Sequence, residues 1–139
     1  MQKIILVESN PELINIYQQA FQKTDFDVEL ASRQEEMLEE LHAIRTGGAS
    51  KPDLVILDLM LADGHGVEIL KAMKKSFITH DIPVFAITNY QNPDLDREIK
   101  NQNIAPEKYL IKAHYTPFEL VDIVNDYFAQ KASPRPALA

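Results

Sequence analysis

With 139 residues, 45% of them apolar, the chain has material for one domain with a substantial core and not for two. A formal net charge of -7 argues against non-specific nucleic-acid binding or attachment to an anionic membrane, since both need a basic face. There is no cysteine, no amino-terminal signal pattern and no apolar run long enough for a bilayer span, so the sequence points to a soluble cytoplasmic protein without disulfide or thiol chemistry.

Lys3 to Val7 is an unbroken apolar run, the pattern of a strand covered on both faces, and it ends in Glu8-Ser9-Asn10. Asn10 and Pro11 supply an N-cap and a first-turn proline for a helix whose buried stripe is Leu13, Ile16, Tyr17, Ala20 and Phe21. Asp27 to Ala31 alternates polar and apolar residues, as a half-exposed edge strand does. Ser32 with Glu35 reads as a capping box for a second helix carrying Met37, Leu38, Leu41 and Ile44, which Gly47-Gly48 ends. After Pro52, Leu54 to Leu57 is again a doubly covered strand, and it stops at Asp58. Asp63-Gly64 and Gly66 mark a turn, beyond which Val67, Ile69, Leu70, Met73 and Phe77 lie at helical spacing.

Pro83 to Thr88 is another buried strand, ending in a hydroxyl. Asn92-Pro93 opens a fourth helix with only Leu95 and Ile99 apolar, a thin stripe that predicts a weakly packed, mobile element. Lys108 to Ile111 forms a last strand, ending in Lys112. Thr116, Pro117 and Glu119 then open a final helix with Leu120, Val121, Ile123, Val124, Tyr127 and Phe128. The domain is expected over residues 1–130, with 131–139, which carry two prolines and little to bury, as a disordered tail. Five βα units in strict alternation make this an α/β chain: a doubly wound, five-stranded parallel sheet with right-handed crossovers.

In a parallel sheet every strand's carboxyl end lies on one edge, so Glu8, Asp58, Thr88 and Lys112 converge there, where open α/β folds bind ligands. Singly, each has a plainer reading: an acid or threonine after a strand serves as a helix cap, and a lysine faces solvent. Together they suit phosphoryl transfer to a carboxylate. Asp58 is the nucleophile, giving an acyl phosphate. Magnesium, a hard ion that takes oxygen ligands, sits between Glu8 and Asp58. Lys112 and Thr88 each contact a phosphoryl oxygen. With one strand between them, the backbones of Lys112 and Asp58 are about 10 Å apart, within reach of a lysine stem.

These residues make the chain resemble a response-regulator receiver domain of two-component signalling, over residues 2–130. The resemblance rests on Glu8 after the first strand, Asp58 in Asp-Leu-Met-Leu-Ala-Asp-Gly, Thr88, and Tyr109 and Lys112 in Tyr-Leu-Ile-Lys. It implies a flavodoxin-like strand order 2-1-3-4-5, which sets Glu8 beside Asp58. It also implies a magnesium site completed by the Met60 backbone carbonyl, and a switch in which phosphorylation draws Thr88 inward and Tyr109 rotates behind it. That repacks the face made by helix four, strand five and helix five. For Tyr109 the residues alone equally allow a half-buried aromatic with its hydroxyl in water.

The departures from the family pattern are specific. Ser9 stands where a second acid, the direct metal ligand, is usual, which weakens magnesium binding or leaves a hydroxyl or water to fill the position. Ala62 and Ala113 replace prolines, Asn89 replaces a small residue, and Met60 and Tyr90 place bulk where the hydrolytic water enters, which predicts slow dephosphorylation. The leading expectation is a stand-alone, non-enzymatic receiver. It takes its phosphoryl group from a histidine kinase or phosphotransfer protein and signals to a downstream protein, with homodimerisation left open. The alternative is a degenerate receiver acting as a phosphorylation-independent binding module. An aspartyl phosphatase would want an acid two residues after Asp58, where Met60 stands, and a flavin carrier would want a hydroxyl-rich first loop. His42, His65, His80 and His114 show no metal-ligand spacing, and the acids of helix two read as a solvated face.

Overall fold

The computed structural model of the chain describes residues 1–132. In chain order it contains β1 (Lys3–Val7), α1 (Pro11–Phe21), β2 (Asp27–Ala31), α2 (Gln34–Arg45), β3 (Leu54–Asp58), a two-residue hairpin of β4 (Met60–Leu61) and β5 (Gly64–His65), α3 (Val67–Lys75), β6 (Val84–Thr88), α4 (Pro93–Asn101), β7 (Lys108–Ile111), a 3-10 turn (Lys112–His114) and α5 (Pro117–Ala132). The five long strands pair in parallel in the order β2-β1-β3-β6-β7. Leaving out the hairpin, this is the expected order 2-1-3-4-5. The antiparallel hairpin is an addition: Met60 and Leu61 pair with His65 and Gly64 where only a turn was expected.

Why these runs are strands is visible in their burial. All five residues of β3 and all five of β6 are buried, because alternate side chains feed two cores. Ile5, Val7, Val55, Leu57, Val84 and Ala86 join Met37, Leu41, Leu70, Met73 and Ile99 of α2, α3 and α4. Ile4, Leu6, Leu54, Ile56, Phe85 and Ile87 join Tyr17, Phe21, Val124 and Phe128 of α1 and α5.

Helix ends account for most differences from expectation. Asn10 and Asn92 cap α1 and α4, and Thr116 and Glu119 exchange both bonds of a capping box at α5. At α2 no such box forms. Ser32 Oγ donates to Glu36 instead of pairing with Glu35, and Arg33 at the N-cap makes no side-chain capping bond. The exposed amides of α2 are met from elsewhere in the chain, as described below. Gly47 ends α2 with a left-handed φ of 84°, a conformation that disfavours any side chain. Phe77 lies beyond the end of α3 and is 91% exposed, so it does not widen the buried face, and Leu38 stays on the solvent side of α2. The α4 stripe is as thin as expected, with only Leu95 and Ile99 buried. Helix α5 runs two residues past the boundary expected at 130; the rest of the expected tail lies outside the described residues.

The hairpin carries the chain back over β3, and this requires a glycine at 66. Its N–H donates to the Leu59 carbonyl at 2.9 Å. A methyl group there would run into the Asp58 carbonyl and lie 2.9 Å from the Leu59 Cα. Gly66→Ala is therefore expected to lower the free energy of unfolding by about 2 kcal/mol, as overpacking against backbone does, read as a lower urea midpoint at constant slope. An unchanged midpoint would mean the turn has room to spare.

Candidate functional site

The register of the sheet brings three of the expected side chains into contact. Val7 lies opposite Leu57, so the next residues, Glu8 and Asp58, leave adjacent strands side by side. Both are almost completely buried, at 2% and 3% exposure. Lys112, in the turn after β7, reaches across the end of β6 and donates from Nζ to Asp58 Oδ2 at 2.6 Å and to Glu8 Oε1 at 2.8 Å. The remaining carboxylate oxygens are also engaged. Glu8 Oε2 accepts the backbone N–H groups of Ser9 (3.0 Å) and Asn10 (3.2 Å), and Asp58 Oδ1 accepts that of Met60 (2.8 Å).

Thr88 is buried at the end of β6 but does not touch the acids. Its Oγ1 donates to the Tyr90 carbonyl at 3.2 Å. Ser9, half-buried, accepts the Ala62 N–H on its Oγ at 3.0 Å. Met60 and Tyr90 are exposed, at 36% and 61%, and flank the site in sequence. All peptide bonds of the described residues are trans, including Lys112–Ala113.

Charge in this pocket is unbalanced: two carboxylates face one ammonium. Burial, and after it the Asp58 carboxylate, push the Glu8 carboxyl above its ordinary 4.5, with Lys112 pulling the other way. Burial works against the Lys112 ammonium, but its hydrogen bonds to Asp58 and Glu8 outweigh that and hold it above its ordinary 10.5. Tyr17, on α1, is shifted upward by burial and by the two acids. A pocket short of one positive charge and lined with oxygen donors suits a hard divalent cation. The protein would offer two carboxylates and the Met60 carbonyl. Among the described residues no three His, Cys, Asp or Glu side chains are placed to hold a metal ion, so further ligand positions fall to water or to a bound group.

Tyr109, on β7, is half-buried, but its hydroxyl is not in water: it is buried without a hydrogen-bond partner. Burial, and after it the Asp96 carboxylate, push its pKa above the ordinary 10, so the hydroxyl stays protonated. It lines a recess of about 450 Å³ with Asp96, Ile99, Ala105 and Ile111, between α4 and β7.

One position beside the site was read only as a turn. Asp63 lies in the loop after Asp58, and its carboxylate accepts the N–H groups of Gln34 (2.7 Å) and Glu35 (3.1 Å), capping α2 from 29 positions away. These bonds hold its pKa below the ordinary 3.8. The available signal was negative: Arg33 cannot cap a helix start.

Comparison with known proteins gives a consistent result. The family model "Response regulator receiver domain" matches residues 4–125. The phosphate regulon transcriptional regulatory protein PhoB of Pseudomonas aeruginosa is 34% identical over 51% of this chain and 30% of its own length. The transcriptional regulatory protein CpxR of Escherichia coli is 30% identical over 81% of this chain and 43% of its own. The chain thus spans less than half of either regulator. Among solved structures, the phosphorylated cyanobacterial phytochrome response regulator RcpA superposes with a TM-score of 0.78 at 25% identity, covering 94% of this chain and 95% of that one. The Mn(2+)-bound response regulator Rcp1, at 21% identity and a TM-score of 0.75 over the whole of both chains, shares the fold.

The raised Glu8 carboxyl has a measurable consequence. The folded chain holds this proton to higher pH than the unfolded one, so Glu8's contribution to stability is complete below pH 4.5 and is lost as pH rises through its folded value. Glu8→Gln, neutral at every pH, is expected to lose less stability than the parent as pH rises above 4.5 in magnesium-free buffer, by urea unfolding. Parallel stability curves would contradict the raised carboxyl.

Proposed function

The chain belongs to the response regulator receiver-domain family, and on that premise we propose that it is a phosphoryl-accepting switch with Asp58 as the acceptor. The observation that carries this reading is the Asp58 carboxylate itself: buried at a strand end, ion-paired to Lys112 at 2.6 Å, and set beside a second acid. An Asp58 oxygen attacks the phosphorus of the donor, a new O–P bond forms, and the bond to the leaving group breaks with its electron pair leaving on that group. Lys112, already on Oδ2, shifts its ammonium to the phosphoryl oxygens. Glu8, Asp58 and the Met60 carbonyl would hold magnesium, which when bound neutralises charge on the transferring group.

Receiver domains in general interact with histidine kinases or phosphotransfer proteins, and one of these is the proposed donor, in the cytoplasm. The proposed output is the face of α4, β7 and α5. The thin stripe of α4 and the unpartnered Tyr109 hydroxyl beside its recess support a repacking there when Thr88 turns toward the phosphoryl group. Exposed bulk at Met60 and Tyr90 supports slow loss of the phosphoryl group.

A second reading, a binding module that is never phosphorylated, is favoured by one feature. Lys112 bridges both acids and the Ser9 hydroxyl is taken by Ala62, so the pocket is internally bonded as it stands.

Intact mass after incubation with acetyl phosphate separates the two. The expected result is a magnesium-dependent gain of one phosphoryl group in the parent, absent in Asp58→Asn and slow to decay once the donor is removed. No gain in the parent at any magnesium concentration would establish the second reading, and decay within seconds would remove the slow-loss proposal.

A further inference from the structure

The bond between Ser9 and Ala62 joins two positions at which this chain departs from its family's pattern. Resting on the acceptor reading, we propose that Ser9 is a positioning residue for the Asp58 loop, acting through the Ala62 amide, and not a ligand of the metal. Bonds between a side chain and a backbone amide, at three places, help to hold the loop from Asp58 to Gly66. Met60 N–H donates to Asp58 Oδ1 at 2.8 Å, Ala62 N–H to Ser9 Oγ at 3.0 Å, and the Asp63 carboxylate takes the α2 amides at 2.7 and 3.1 Å. The first is local to the loop and the third ties it to α2. Of the three, the Ser9 bond is the one that ties it to the turn that carries Glu8.

Ser9 is itself fixed from the other side, since its N–H donates to Glu8 Oε2 at 3.0 Å. A continuous path of hydrogen bonds therefore runs from the Glu8 carboxylate through Ser9 to Ala62 and the acceptor loop. A neutral hydroxyl already accepting an amide proton is a poor competitor with carboxylates and water for a hard cation. The bond also depends on the residue at 62 having an N–H to give, which a proline lacks. Serine at 9 and a non-proline at 62 thus work as one device. It ties the loop that carries the Met60 carbonyl and the Asp58 carboxylate to the Glu8 turn by a protein–protein bond.

Ala62 is exposed, so water competes for the bond and its loss is worth a modest factor. In the acetyl phosphate reaction, Ser9→Ala is expected to lower the rate at saturating magnesium about five-fold while leaving the half-saturating magnesium concentration unchanged. Ser9→Thr, which keeps the hydroxyl, restores the rate. Ala62→Pro reproduces the loss, and the double variant Ser9→Ala/Ala62→Pro is no slower than Ala62→Pro. Without donor or metal, exchange of the Ala62 amide speeds up in Ser9→Ala. A raised magnesium half-saturation at an unchanged maximal rate would make Ser9 a metal ligand and overturn the proposal. So would an Ala62 amide that exchanges alike in parent and Ser9→Ala. Absence of phosphorylation in every protein would sink the acceptor reading instead, while the exchange comparison would still decide whether the bond is made.

Discussion

A single ammonium group shared by two buried carboxylates is the constraint on which the site depends. Taking Glu8 and Asp58 out of water is costly unless a partner compensates, and one cation for two anions compensates only in part. The partners are 104 and 54 positions apart in sequence, so no local segment can assemble them. Residues at the carboxyl ends of β1, β3 and β7 must reach the same edge together, with β6 lying between the lysine and the acids. The parallel sheet is what makes this arrangement affordable, because apolar cores on both of its faces supply the stabilisation that the polar edge lacks. The excess negative charge left at that edge is what makes the pocket receptive to a cation or to a group that brings one.

The loop after β3 turns this edge into a defined geometry. It doubles back so tightly that only glycine fits at 66. Its two flanks are pinned to different neighbours, Ser9 on one side and the start of α2 on the other. The acceptor loop is therefore bonded outward in two directions, through Ser9 to the Glu8 turn and through Asp63 to α2. The α4–β7 side differs in kind, being lightly packed and holding a buried tyrosine hydroxyl without a partner. A tightly bonded side and a loosely packed side around one carboxylate is an arrangement in which a small local event moves the loose side first.

What could be read from the sequence divides along physical lines. Strands were legible because continuous apolar runs such as Lys3–Val7 and Val84–Thr88 have few other stable fates in a chain this short. The convergence of Glu8, Asp58 and Lys112 followed from the shared direction of parallel strands, whereas the order of those strands came from family resemblance and not from composition. Helix starts were legible where the cap is local, as at Asn10 and Thr116, and failed at α2, where the cap is Asp63 from another loop. Phe77 was misread because helical spacing continues past Lys75 while the helix does not. The Ser9–Ala62 bond was out of reach, since a side chain and an amide 53 positions apart leave no pattern in either segment.

The account turns on Glu8 and Asp58 lying close together in a buried pocket with only Lys112 between them and an unfavourable negative charge. The most direct measurement is the carboxyl carbon-13 titration of Glu8 by NMR, in the parent and in Lys112→Met, without magnesium. A Glu8 midpoint above its ordinary 4.5 in the parent, and higher again when the ammonium is removed, is the predicted result. A Glu8 midpoint at or below 4.5 in the parent that stays the same in Lys112→Met would contradict it, because neither burial, nor the Asp58 charge, nor the ammonium would then act on that carboxyl.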